Sequence, residues 1–120
     1  MAEISEALRA GEEAEALRAA AKLVGDLEAL APSVVASVVA VDPGSTGDRR
    51  WDALVAGIVE RVAHCAGVRT PAWTAEPSRF LVRWWFVSEH RALHASALVD
   101  SPPELAARGV FIHASSLTSV

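Results

Sequence analysis

Tyrosine is absent from this chain of 120 residues, and cysteine and methionine occur once each. Lysine too is reduced to a single residue, Lys22. With Cys65 alone, no disulfide framework can hold the fold together. No apolar run approaches the ~18 residues that a membrane-spanning helix needs. The opening Met-Ala-Glu-Ile-Ser-Glu is acidic and lacks the basic start and apolar centre of a secretory leader. These absences give the expectation of a cytoplasmic protein with no membrane partner. Basic residues are outnumbered, 11 against 15 acidic, for a net charge of −4. Phosphate neutralisation supplies most nucleic-acid affinity, so this balance argues against DNA or RNA as the direct ligand. Arg49, Arg50, Arg79 and Arg83 could gather locally without reversing it.

Aromatic residues make up only 6% of the chain, and they are unevenly placed. Trp73, Phe80, Trp84, Trp85 and Phe86 all fall between Pro71 and Phe86. Aromatic side chains bury the most area per residue, so this segment is expected to form the core of the second half. Of the adjacent Trp84 and Trp85, one could instead face outward and anchor a partner, since tryptophan is enriched among interface hot spots.

What remains is rich in Ala, Val and Leu and reads as helix. From Ile4 to Leu30 the pattern is helical with a break at Gly11. Leu17, Ala20, Ala21, Val24, Leu27 and Leu30 form a narrow stripe at three- and four-residue steps. Such a stripe gains its stability from packing, which predicts docking on a second copy or on a partner. Pro32 suits the first turn of another helix, followed by a valine-rich run to Val41. Residues 42–48, Asp-Pro-Gly-Ser-Thr-Gly-Asp, form a linker ending in a cap from Thr46 or Asp48. It lacks the Gly-Lys-Ser/Thr ending of a phosphate loop. Arg49 to Ala66 carries a broad apolar stripe (Trp51, Leu54, Val55, Ile58, Val59, Val62, Cys65), with Gly67 as its left-handed stop. Glu89 to Val99 reads as helix with Leu93, Ala97 and Leu98 inward. Ser101-Pro102-Pro103-Glu104 reads as the capped start of a further helix that ends at Arg108-Gly109. Val110–Ile112 is a short strand candidate, and Ser115 and Ser116 open a last turn. The expected fold is mostly α: five to six helices packed around the aromatic-rich segment, with at most one short strand near the C-terminus. Residues 1–45 would be a helical N-terminal extension and 46–120 the compact helical domain, together one folding unit.

No catalytic set assembles on paper. His90 and His94, four apart on the predicted helix, share a face as a helical metal pair would, with Glu89, Asp100 or His113 as possible third ligands. The Glu of a metalloprotease His-Glu motif is absent, and two ordinary solvent-facing histidines are the better account of the spacing. No glycines of a nucleophile elbow flank any serine, and His64 and Cys65 sit about 100° apart on a helix, too far round to act together. Cys65 reads as a small core residue. No cofactor is expected.

Thr46-Gly47-Asp48-Arg49-Arg50-Trp51-Asp52-Ala53-Leu54, Pro71-Ala72-Trp73, Arg79-Phe80-Leu81, Trp85-Phe86 and the run from Ser101 through Ile112 occur in that order. Together they resemble the C-terminal domain of actinobacterial proteins that carry an N-terminal, phage-repressor-like helix-turn-helix. The resemblance covers about 70 of the 120 residues. It implies a regulator or antitoxin, of the kind often encoded beside a toxin-like gene. Residues 1–45 are too short and too acidic for a helix-turn-helix, and Leu105 and Ala107 stand where the family usually has Phe and Arg. The part that remains would carry protein recognition. The functional expectation is therefore a non-enzymatic, antitoxin-like or regulatory protein that binds and occludes a protein partner. Trp84 or Trp85 would be its anchor, and Glu12, Glu13, Glu15, Asp26 and Glu28 an acidic lure for a basic partner. The alternative is a small metal- or ligand-binding enzyme domain built on the Trp/His-rich region.

Overall fold

The protein is described by a computed structural model covering residues 2–117. Its helices are α1 (Ala2–Arg9), α2 (Glu13–Glu28), α3 (Pro32–Val39), α4 (Arg49–Ala66), α5 (His94–Asp100) and α6 (Pro103–Ala106). Short 3₁₀ turns lie between them, and two two-residue strands, β1 (Trp85–Phe86) and β2 (Val110–Phe111), pair in parallel. The fold is mostly α, as expected. The candidate strand at Val110 exists because residues 85–86 supply the partner every strand requires.

Helix α4 is the centre. Asp48 caps it by accepting from the Arg50 N–H at 2.9 Å, and Gly67 closes it at φ 69°. Residues 51–59 are buried without interruption, the mark of a helix enclosed on all sides rather than one lying on a surface. α2, α3 and α6 pack against it, as do β2 and the turns at Ala72–Ala75 and Pro77–Arg79. Gly57 lets α6 approach: a Cβ there would lie 2.6 Å from Leu105 Cδ2. The aromatic segment lines one side of the helix, with Trp73 Nε1 donating to the Val39 carbonyl at 2.8 Å.

The N-terminal stripe is partly covered by the chain itself: Ala20 and Leu27 are buried, while Leu17, Ala21 and Val24 are half-buried. Ile4, Ala16, Ala20 and Leu27 belong to the same buried cluster as Trp51, Leu54 and Ile58. α2 packs on α1, on α4 and on the turn at Ala114–Leu117. Gly11, at φ 74°, turns the chain between α1 and α2, a conformation that costs other residues dearly. Leu30, the last residue of the predicted stripe, lies beyond the end of α2 and is exposed.

Four local expectations need correction. Cys65 is exposed, because the last turn of α4 looks onto an open groove. The helix predicted from Glu89 begins only at His94: His90 is extended and a 3₁₀ turn intervenes. That helix buries Ala97 alone, leaving Leu93 and Leu98 open to water. Ser101 does not cap α6; its hydroxyl donates to the Ala97 carbonyl and accepts from the Ile112 N–H, tying α5 to the strand. Glu104 turns away from the cap toward His64 on α4.

Candidate functional site

The two tryptophans at 84 and 85 are separated by strand geometry. Successive side chains in an extended segment point to opposite faces. The parallel register sets Trp85 beside Val110 and Phe86 beside Phe111. It is held by N–H donations from Leu81 to Arg108, Trp85 to Gly109 and Val87 to Phe111, all at 2.8–3.0 Å. Trp85 therefore points to α4, meeting Trp51 edge-on at 5.3 Å, with the Arg50 guanidinium 5.0 Å above its ring. Trp84 and Phe86 lie on the other face, flanking Phe111 at 5.0 and 5.3 Å. Trp84 leans one edge on Phe111 and is 66% exposed; Val82, two residues back, is 92% exposed. Of the two candidate anchors, Trp84 is the outward one and Trp85 belongs to the inner packing.

The histidine pair dissolves in the fold. His90 lies ahead of α5, so it shares no helix face with His94. His94 instead stacks on Phe86, ring centroids 4.2 Å apart, and its Nε2 bonds the Ser88 carbonyl at 2.9 Å. His113 Nε2 meets the Ser96 hydroxyl at 2.8 Å. His94 and His113 line one cavity of about 200 Å³ with Phe86, Phe111, Leu17 and Ser88. Among the described residues, no group of three or more His, Cys, Asp or Glu gathers to hold a metal ion.

The acidic residues Glu12, Glu13, Glu15, Asp26 and Glu28 are exposed along α2 and its entry. They do not form one patch with Trp84. Glu13 pairs with Arg50 at 3.1 Å, beside Trp85, and Glu15 pairs with Arg18 on its own helix. Glu28 is fifteen positions from Glu13, about 22 Å along the helix axis. Glu3, Glu6, Glu12 and Glu15 share an open hollow on the α1–α2 side with Arg18 and Lys22, which pair with Glu15 and Glu3.

Several influential groups gave only a faint signal in the sequence. Arg108, 2% exposed, bridges Glu60, the Glu104 carbonyl and the Thr74 carbonyl. In the sequence it reads as nothing more than a helix end before glycine, since arginine is seldom fully buried. Arg79, 4% exposed, holds the 42–48 linker by donating to Asp42 and to the Gly44 carbonyl, and lies 4.8 Å over Trp73. Arg79 and Arg108 thus serve separate structural tasks, as do Arg49, which donates to the Pro77 and Phe80 carbonyls, and Arg50, which pairs with Asp48 and Glu13.

Glu104 links α6 to α4 through His64 Nδ1 at 2.9 Å and Arg61 at 3.7 Å. Burial pushes its carboxyl up, but the His64 hydrogen bond, a backbone hydrogen bond and Arg61 together hold it below the usual carboxylate range. A carboxyl depressed in the folded state stabilises the fold above its unfolded value and loses that contribution as pH falls through the folded value. Urea denaturation of the parent and Glu104→Gln should therefore differ at neutral pH and converge below about pH 4, the ordinary glutamate range. A gap that persists unchanged at pH 3 would show that Glu104 acts by packing alone.

Among the described residues, no helix is long and apolar enough to cross a membrane. No family model, curated protein or solved structure matches this chain.

Proposed function

We propose that the chain is a non-enzymatic, antitoxin-like or regulatory protein that binds and occludes a protein partner, with Trp84 as its anchor. One observation carries the reading: in a chain with four tryptophans, strand alternation turns Trp84 outward while Trp51 and Trp73 are buried. A rigid indole held at one edge by Phe111 loses little conformational freedom on docking, which is the profile of an interface hot spot. The acidic α1–α2 side supplies long-range attraction to a basic surface, as on a toxin that handles nucleic acid or nucleotides. The resemblance of its ordered motifs to those of actinobacterial regulators favours the same class, and a cytoplasmic setting goes with it.

A small-ligand domain is the second reading. It rests on the cavity between His94 and His113 rather than on His90 and His94. At about 200 Å³ that cavity is smaller than the ~300–1,000 Å³ of ordinary ligand sites, which favours the protein partner.

The test uses the product of the neighbouring reading frame as the partner. Trp84→Ala should speed dissociation and weaken binding by about 2 kcal/mol or more, with the melting temperature held within a few degrees. Reversing Glu12, Asp26 and Glu28 to Lys should slow association at low salt and flatten its salt dependence. Binding by both variants at parental rates would overturn the proposal.

A further inference from the structure

We infer that the cavity between His94 and His113 binds a small neutral ligand of the phenol class, one aromatic ring carrying an O–H or N–H donor. This assignment rests on the small-ligand reading of that cavity and is independent of the Trp84 anchor. The cavity lies where α2, the end of β1, α5, β2 and the turn at Ala114–Leu117 meet. Leu17, Phe86, Ala97, Phe111 and Ser116 come to it from those elements. A ligand there accompanies a protein partner and does not replace it.

Hydrogen bonds already made fix what the walls lack. His94 Nε2 bonds the Ser88 carbonyl at 2.9 Å, and a carbonyl only accepts, so that nitrogen is assigned the proton. The Ser96 hydroxyl gives its one hydrogen to the Leu93 carbonyl and therefore accepts from His113 Nε2. Each neutral ring is left with Nδ1 as an acceptor, and among the described residues no group donates to it. Ser88, also on the wall, accepts from the His90 N–H at 3.2 Å and keeps its own hydrogen free. A ligand hydroxyl can donate to an imidazole nitrogen and accept from Ser88, answering both needs at once.

Size and shape narrow the class. A dry engineered cavity of ~150 Å³ holds benzene. About 200 Å³ therefore admits one ring with a polar substituent, and excludes a nucleotide or a fused-ring cofactor. The His94 and Phe86 rings, both on the wall, stack with centroids 4.2 Å and planes 12° apart, a flat surface suited to another ring. Among the described residues no Asp, Glu, Lys or Arg lines the cavity, so a carboxylate or phosphate would be buried without a counter-ion.

NMR of the full chain at about pH 8, where ordinary histidines are neutral, tests this with phenol itself. Phenol should bind with Kd about 1 mM or tighter, a strength open to a ligand of so few atoms. It should shift the ring resonances of His94, His113 and Phe111 and leave those of His90 in place. Anisole, the same ring with its donor capped, should bind at least about threefold more weakly, as the loss of one neutral hydrogen bond requires. Benzoate, ionised at that pH, should not compete. Ala97→Leu fills the cavity from a buried position and should abolish binding. Ser116→Leu, at the exposed rim, should do the same and keeps the test if the first variant does not fold. No shift with phenol up to about 10 mM overturns the inference. So does anisole binding as well as phenol, or phenol binding that survives both leucine variants. Benzoate bound in place of phenol overturns it while leaving the small-ligand reading intact. If none of the three rings binds, that reading falls as well.

Discussion

Replacing Arg108 by alanine is expected to destabilise the fold by about 3–5 kcal/mol, the range for breaking a buried ion pair by removing one partner. Its guanidinium donates to Glu60 Oε1 at 3.0 Å and Oε2 at 3.4 Å, to the Glu104 carbonyl at 2.9 Å and to the Thr74 carbonyl at 2.8 Å. It also lies 4.9 Å over the Phe80 ring. One planar group therefore joins α4, α6 and the turn at Ala72–Ala75, and its loss strands acceptors on all three. Lysine should not rescue it, because an ammonium cannot present the same fork of donors. Glu60→Gln should cost less than Arg108→Ala, since the Glu60 side chain is 24% exposed and water can take over part of its pairing. Urea denaturation of the two variants and of Glu60→Gln/Arg108→Ala gives the coupling. A loss below 1 kcal/mol for Arg108→Ala would mean that the surrounding groups find water instead.

Asp52→Ala should be the second large effect, at about 2–4 kcal/mol, given the loss of several charge-assisted bonds in a buried place. The Asp52 carboxylate accepts from the Ser45 hydroxyl at 2.6 Å, the Thr46 N–H at 2.7 Å and the Thr46 hydroxyl at 2.6 Å. Its position in the first turn of α4 also suits negative charge at the positive end of the helix dipole. Without it, the buried Thr46 N–H has lost its acceptor and the linker is tied mainly through Arg79. Asp52→Asn, which keeps an accepting oxygen, should cost roughly half as much. Hydrogen exchange at the Thr46 amide measures the local consequence. Protection that survives in Asp52→Ala would show that the linker is held from elsewhere.

What could be read from the sequence follows from how local each signal is. The bounds of α4 were legible, because its stripe and its stop are written within Arg49–Gly67, although its cap stayed open between Thr46 and Asp48. So were the break at Gly11 and the proline start of α3. The outward tryptophan was legible as an alternative between two neighbours, but the choice needed the strand register. That register depends on residues 108–111, far along the chain. The helix placed at Glu89 failed because residues 88–93 have acceptable helix composition, yet the chain must first leave β1 and turn. Cys65 was assigned to the core from its place on an apolar stripe. A stripe gives the direction of a side chain, not whether another element arrives to cover it. Arg108 and Asp52 draw their importance from partners remote in sequence or lodged in a linker, and periodicity carries no trace of either.

The pairing of β1 with β2 has a consequence for the order in which this surface comes into being. Trp84 is set by a segment whose hydrogen-bond acceptors are Arg108, Gly109 and Phe111, and the intervening loop must close before any of those bonds forms. A chain that stops short of Phe111 has neither the β2 edge nor the ring on which the indole rests. Trp84 takes its final place only when β2 has paired with β1, so the outward setting of the indole depends on residues 108–111, more than twenty positions further along the chain.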